Sequence, residues 1–277
     1  MTARRTTKDA LKRIVKRTAR VPGRWLRRRG VRILTYHSVG TRAHEMNVTP
    51  DDFRRQMEWL AASQSVIPLV ESINSEGGVA ITFDDGYRDN LTNAASVLKS
   101  LNLPATFFMV AGRAGGMLDH DDDPQTSTLM TWDELRELSS MGFEIGAHGF
   151  THRRLVALTE DDQRAEISGS KKLIQEQLRI EVRSFAYPFG SSADYNDTSL
   201  RLVQEAGFCL AVSNRYGVNA RLQTDPLNLK RIWIDATDDF RMFRAKVDGR
   251  LDVLSWLDTR AAEAARRWLN RIIASGA

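Results

Sequence analysis

Val79-Ala-Ile-Thr-Phe-Asp-Asp-Gly-Tyr-Arg-Asp89 runs five residues of strand character straight into two adjacent carboxylates and a glycine turn. An acidic pair at a strand end is costly unless a counter-charge compensates it. A metal ion, or a base poised by one, would do so. The plain alternative is a solvated Asp-Asp-Gly turn, so the decision rests on what the remaining sequence can bring to Asp84 and Asp85.

Outward from this stretch, strand and helix signals alternate. Strands are predicted over 31–36, 79–83, 105–110, 143–147, 183–187, 208–212 and 229–234. Between them, Thr49-Pro50-Asp51-Asp52 reads as a helix start, with a capping hydroxyl, proline in the first turn and early acids. Thr131-x-x-Glu134 reads as a capping box, a long helix is predicted over 160–178, and Asp197 is expected to cap another helix. A polar insertion, 112–128, contains His120-Asp-Asp-Asp123 and is expected to be solvated. About seven strands alternating with helices imply parallel pairing and an α/β fold. Periodicity leaves open sheet and barrel both available. The polar groups help, because His37, Asp84-Asp85, His148 and Pro188-Phe189 each follow a strand, and barrel enzymes build their sites at that end.

His148-Gly-Phe-Thr-His152 supplies the counter-charge chemistry. Two imidazoles four residues apart, with a carboxylate, can hold a zinc-like ion and leave positions open for water and substrate. Arg183 can grip a carboxylate in bidentate fashion. The Tyr187-Pro-Phe-Gly190 turn can aim a backbone N–H into the site as an oxyanion donor. Tyr87 and Tyr187 are further candidates to line the pocket.

Three motifs, Thr82-Phe-Asp-Asp-Gly-Tyr87, His148-Gly-Phe-Thr-His152 and Arg183-Ser-Phe-Ala-Tyr-Pro-Phe-Gly190, resemble those of the polysaccharide deacetylase family (NodB homology, carbohydrate esterase 4) in order and spacing. The resemblance covers roughly 31–236. It implies a distorted (β/α)7 barrel of the NodB-homology type that removes acetyl groups from sugars with a divalent metal, usually zinc. It implies Asp84 as base, Asp85, His148 and His152 as metal ligands, Arg183 as the residue orienting Asp84, and the Phe189 N–H as an oxyanion donor. Two departures stand out. The family's late Leu-x-His has no counterpart, since no histidine follows His152, and the acid that pairs with the arginine has only Asp235 as a candidate. Tyr36-His-Ser-Val-Gly40 resembles a subgroup that includes poly-N-acetylglucosamine deacetylases, in which the early histidine lies in the active site. His37 is therefore the expected general acid.

Composition sets the surroundings. The 277 residues are 42% hydrophobic and 27% charged, as in ordinary globular proteins, and a single cysteine, Cys209, excludes an intrachain disulfide framework. The net charge of +5 is unevenly spread: residues 1–32 hold thirteen Lys/Arg and one acid, so the rest of the chain is net acidic. The organisation expected is a basic, amphipathic arm over 1–30, a deacetylase domain over 31–240 and an amphipathic helical extension over 241–277. The arm, with Trp25 among arginines, suits an anionic membrane surface rather than nucleic acid, which the acidic body disfavours. No apolar stretch of signal-peptide type follows the arm's basic residues, so a cytoplasmic enzyme, peripheral on the inner membrane face, is expected. The substrate expected is an N-acetylated sugar or glycan, lipid-linked or membrane-proximal. A same-fold hydrolase of a non-sugar amide and a catalytically silent glycan-binding barrel remain as rivals.

Overall fold

A computed structural model describes residues 28–41, 44–119, 121, 127–252 and 255. Contacts divide the chain into two units, the larger being 29–237. Seven parallel strands close it into a barrel in the order β1-β4-β5-β6-β7-β8-β9. They are β1 (Gly30–Tyr36), β4 (Gly77–Phe83), β5 (Thr106–Met109), β6 (Glu144–Ala147), β7 (Ser184–Ala186), β8 (Leu210–Tyr216) and β9 (Leu229–Trp233). Each predicted strand is present, its ends moved by a few residues. A two-stranded parallel sheet of β2 (Ser38–Val39) and β3 (Asn47–Val48) follows β1.

Side-chain alternation divides the barrel into an apolar floor and a polar mouth. Val31 and Ile33 of β1, Ala80 of β4, Phe108 of β5, Leu210 and Val212 of β8 and Leu229 of β9 form one buried cluster, joined by Leu69. Two residues further along β4 is Thr82, and two beyond that Asp84. Two residues beyond Leu229 is Arg231. The same strand faces that fill the floor therefore present these polar groups at the C-terminal end. The opposite strand faces carry aromatics: Tyr36 meets Phe53 edge-on and stacks with Phe83, which stacks on Phe107 with centroids 4.5 Å apart.

The helices follow local sequence rules. Thr49 caps α1 (Pro50–Ser63) by accepting from Asp52 N, and Phe53, Met57 and Leu60 are buried. α2 (Ser96–Ser100) is preceded by a π-helical segment, Asn90–Ala95. α3 (Trp132–Ser140) has the predicted Thr131–Glu134 capping box, and α4 spans Glu160–Leu178 as expected. α5 (Asp197–Glu205) starts one residue earlier than predicted. Asn196, with the more suitable extended backbone, is the cap, and Ser199 completes a box.

The smaller unit includes Arg28 and the described residues from 238 onward. In it, Asp239 caps α6 (Phe240–Val247), and buried Asp252 accepts a hydrogen bond from Arg28 N. The predicted arm up to residue 27 and the helical face of Leu257, Ala261, Ala264, Trp268 and Ile272 lie outside the described residues.

Barrel closure leaves little spare room at Gly146 of β6. A Cβ there would lie 2.4 Å from the Phe108 ring and 2.7 Å from Ser184 Oγ. Gly146→Ala should destabilise the metal-free protein by about 1–3 kcal/mol in urea unfolding, as overpacking does. Gly77→Ala, whose Cβ would meet nothing within 4 Å, should stay within about 0.5 kcal/mol of wild type.

Candidate active site

The register of the first strands sets up the site. Tyr36 pairs with Phe83, and Asp84 N donates to Tyr36 O at 3.0 Å, so His37 and Asp84-Asp85 leave neighbouring strands at the same level. Asp84 is fully buried, and Arg231 grips it with both guanidinium branches: Nη1 to Oδ1 at 2.7 Å and Nη2 to Oδ2 at 2.6 Å. The other arginine N–H groups are also used. Nε donates to Ser213 O at 3.0 Å, Nη1 also to Thr82 Oγ1 at 3.3 Å, and Nη2 also to Asn214 Oδ1 at 2.8 Å. Burial alone would raise the Asp84 pKa. The Arg231 charge, with a smaller contribution from His148, outweighs burial and holds the carboxyl below its ordinary value.

Asp85 turns away from this pair. Its backbone is left-handed (φ 72°), and Gly86 continues the turn. Its Oδ1 lies 3.5 Å from His148 Nε2 and 3.4 Å from His152 Nε2, and one donor atom from each of the three residues falls within 4.8 Å of the others. His148 Nδ1 is 2.8 Å from Ala186 O, which fixes the ring so that Nε2 faces Asp85. Asp85 Oδ1 is buried and accepts no hydrogen bond among the described residues. An orphaned buried carboxylate oxygen beside two imidazole nitrogens fits a divalent cation. The charge balance agrees. Burial disfavours the imidazolium at His148, yet Asp84 and Asp85 together push its pKa above the ordinary value. A cation would relieve the same excess of negative charge.

His37 is buried at the mouth, its ring 5.5 Å from that of Trp233, and its Nδ1 has no hydrogen-bond partner among the described residues. Burial pushes its pKa down, against the pull of Asp85 and Asp84. Its loop is held by the π-helical segment and the residue before it. Asn90 Nδ2 donates to His37 O at 2.7 Å, Asn93 Nδ2 to Val39 O at 2.7 Å, and Ser38 Oγ to Asp89 Oδ2 at 2.5 Å. π-helical turns often occur at functional sites for this reason, since the extra residue re-aims side chains.

Phe189, at φ 61°, packs at a tilt against His152, with 4.7 Å between ring centroids, and the Arg154 guanidinium lies 4.1 Å from its ring centroid. This puts the 187–190 turn beside the Asp85–His148–His152 group.

Four expectations are corrected. Arg183 does not orient Asp84. It is exposed just before β7, whereas the site is past the other end of that strand, and Arg231 has the role instead. Asp235 accepts from Thr237 N and Oγ1 in a local turn. Tyr187 is buried, stacked on Tyr195 and hydrogen-bonded to Leu227 O at 2.9 Å, so it supports the turn from beneath. Tyr87 is buried with Val110, Leu118 and Leu129 and donates to Asp121 Oδ2 at 2.9 Å, tying the insertion to the barrel. His120, Asp122 and Asp123 lie outside the described residues. Arg231 had a signal in the sequence. Along Leu229-Lys-Arg-Ile-Trp233, period-two alternation puts it on the same face as Leu229, and an arginine on an apolar strand face needs a buried partner.

A seven-stranded parallel barrel thus carries, at its C-terminal mouth, an ion-paired aspartate beside an Asp-His-His group that could hold a metal ion. The polysaccharide deacetylase family model matches residues 72–211, and the chain belongs to that family. It is 31% identical over 200 residues to YxkH of Bacillus subtilis (strain 168), assigned to the polysaccharide deacetylases, covering 69% of this chain and 67% of the relative. It is 25% identical over 178 residues to the poly-beta-1,6-N-acetyl-D-glucosamine N-deacetylase of Staphylococcus aureus (strain N315), covering 58% of this chain and 59% of that protein. Among solved structures, the fold matches the Streptococcus pyogenes deacetylase PplD (TM-score 0.67, 23% identity, 80% of this chain and 99% of that one). IcaB from Ammonifex degensii matches similarly (TM-score 0.69, 21% identity, 80% and 98%).

Removing one member of a buried ion pair strands the other. Arg231→Met should therefore cost about 3–5 kcal/mol of stability at neutral pH. Arg183→Met, at an exposed position, should cost less than about 0.5 kcal/mol. Urea unfolding of both variants discriminates the two assignments.

Proposed function

We propose that the protein is a metal-dependent hydrolase that removes the N-acetyl group from an amino sugar within a glycan. The observation that carries this reading is the division of labour between adjacent aspartates. Asp84 is locked ionised by Arg231, while Asp85 turns its free oxygen to His148 and His152. Family membership supports the reaction class, and the similarity to the Staphylococcus aureus relative supports the amide of an N-acetylated sugar.

Asp85, His148 and His152 would hold the cation, with zinc favoured by two imidazoles and one carboxylate. When bound, it supplies Lewis acidity to the acetyl carbonyl and lowers the pKa of water. The protein's own groups do the rest. Asp84 accepts the proton of the attacking water, its orientation fixed by two parallel hydrogen bonds from Arg231. The Phe189 N–H, in the turn beside His152, donates to the carbonyl oxygen as negative charge develops there. An amine cannot depart as an anion, so the nitrogen must be protonated as the C–N bond breaks. His37 is the candidate donor: it is buried at the mouth, and its Nδ1 has no other hydrogen-bond partner among the described residues. Burial makes its imidazolium scarce but a strong acid.

Asp84→Asn should retain bound zinc and lower acetate release by at least about 100-fold. Asp85→Ala should lose the metal itself, as measured by elemental analysis. His37→Ala should also retain zinc while slowing release about 100-fold or more. A rate equal to wild type in that variant would remove His37 from the mechanism.

The charge distribution supports a further part of the proposal: the basic arm holds the enzyme at an anionic membrane surface, at the cytoplasmic face, near a lipid-linked or membrane-proximal substrate. Full-length protein should then co-sediment with vesicles containing anionic lipid. A variant lacking residues 1–27 should not, and equal sedimentation of the two would exclude the arm as the anchor.

A further inference from the structure

The loop between the two metal-binding histidines has a clamp outside the reacting groups. Glu166, on α4, is buried, and both its carboxylate oxygens point at that loop. Oε2 accepts from Phe150 N at 2.9 Å and Thr151 N at 2.8 Å, and Oε1 accepts from Thr151 Oγ1. On the loop's other side, Ala111 N donates to Gly149 O at 3.2 Å and Gly112 N to Phe150 O at 2.7 Å. The loop's amides are thus held by one helix and its carbonyls by the segment after β5. The backbone groups of an irregular segment are paired from both sides, as burial requires.

Small residues make the approach possible. A Cβ on Gly149 would lie 3.2 Å from Glu166 Oε2, and one on Gly112 would lie 2.7 Å from Phe150 O. At the end of the loop, His152 adopts a left-handed backbone (φ 65°), a conformation that a side-chain-bearing residue keeps only when its surroundings impose it.

From this geometry we infer that Glu166 is a positioning residue for the metal centre, the group that holds His152 at ligating distance from Asp85 and His148. It touches no reacting atom. It fixes the two amides immediately before His152, and so the direction in which that imidazole leaves the backbone. Its role is geometric, so hydrogen-bonding shape should matter more than charge. A glutamine could accept both amides through its oxygen and donate its NH2 to Thr151 Oγ1.

The inference rests on the metal-site reading proposed above, and zinc affinity separates the two. Zinc dissociation constants are measured by chelator competition for full-length wild type, Glu166→Ala and Glu166→Gln, each first confirmed as folded by circular dichroism in the metal-free state. The expected result is a loss of about 10–100-fold in zinc affinity for Glu166→Ala, the usual size for groups that orient a ligand, and a loss under about threefold for Glu166→Gln. The cobalt-substituted alanine variant should also show a visible absorption spectrum altered from wild type, a change that loss of fold stability alone would not produce. Wild type that binds no zinc overturns the metal reading itself. Wild type and Glu166→Ala binding equally tightly, with the same cobalt spectrum, overturns the clamp alone. If the alanine variant does not fold, amide exchange in the zinc-loaded wild type decides. Protected Phe150 and Thr151 amides, with glutamine restoring affinity, support the clamp, and exchange at open-loop rates overturns it.

Discussion

The structure depends on one buried ion pair. Arg231 reaches from β9 to Asp84 at the end of β4, with β1 between the two strands. Two charges removed from water are stabilising only when their hydrogen-bonding capacity is met. Here all five guanidinium N–H groups have acceptors, drawn from β4, β8 and the residue after β4. Those acceptors meet only if the barrel is closed, so the pair and the fold require each other. Phe108, part of the apolar floor, faces the guanidinium, its ring centroid 5.8 Å from the central carbon.

The same pair determines what each aspartate can do. Two adjacent carboxylates in one buried turn would repel each other and drive one toward its protonated form. Arg231 neutralises the first, and the left-handed backbone at Asp85 sends the second in another direction. Asp85, His152 and Phe189, all at the mouth, are side-chain-bearing residues with positive φ. Strain of this kind concentrates at functional sites because the surrounding structure holds it in place.

What the sequence made legible follows from range. Strands, the His148–His152 spacing, α4 and the Thr131 box follow from patterns within one segment, whereas periodicity left open sheet and barrel both available and the barrel was implied by the family resemblance. The Asp85–His148–His152 group was also accessible, because strand ends in a parallel barrel converge on one face. The partner of Asp84 was not. Arg183 opens the motif that ends at Gly190, but a strand of three residues spans about 10 Å and separates it from the mouth. Arg231, 147 positions from Asp84, becomes its neighbour only through closure between β9 and β1. The tyrosines were misjudged for a related reason. Both follow strands, but their hydroxyls are taken by Leu227 O and Asp121, contacts that no periodicity reveals.

The π-helical segment after β4 ties the loop after β1 in place by counting. Such a segment has one residue more than the α-helical turn it replaces, and each residue in a helix rotates its neighbours by about 100°. Asp89, Asn90 and Asn93 face the loop after β1, while Val97 and Leu98, further along, are buried in the body. A chain one residue shorter here could keep one set in place but not both. The position of the wall around His37 is therefore encoded in length as much as in residue identity. A single insertion or deletion at 90–95 would carry Asn90 or Asn93 away from the carbonyls of His37 and Val39 that they now hold.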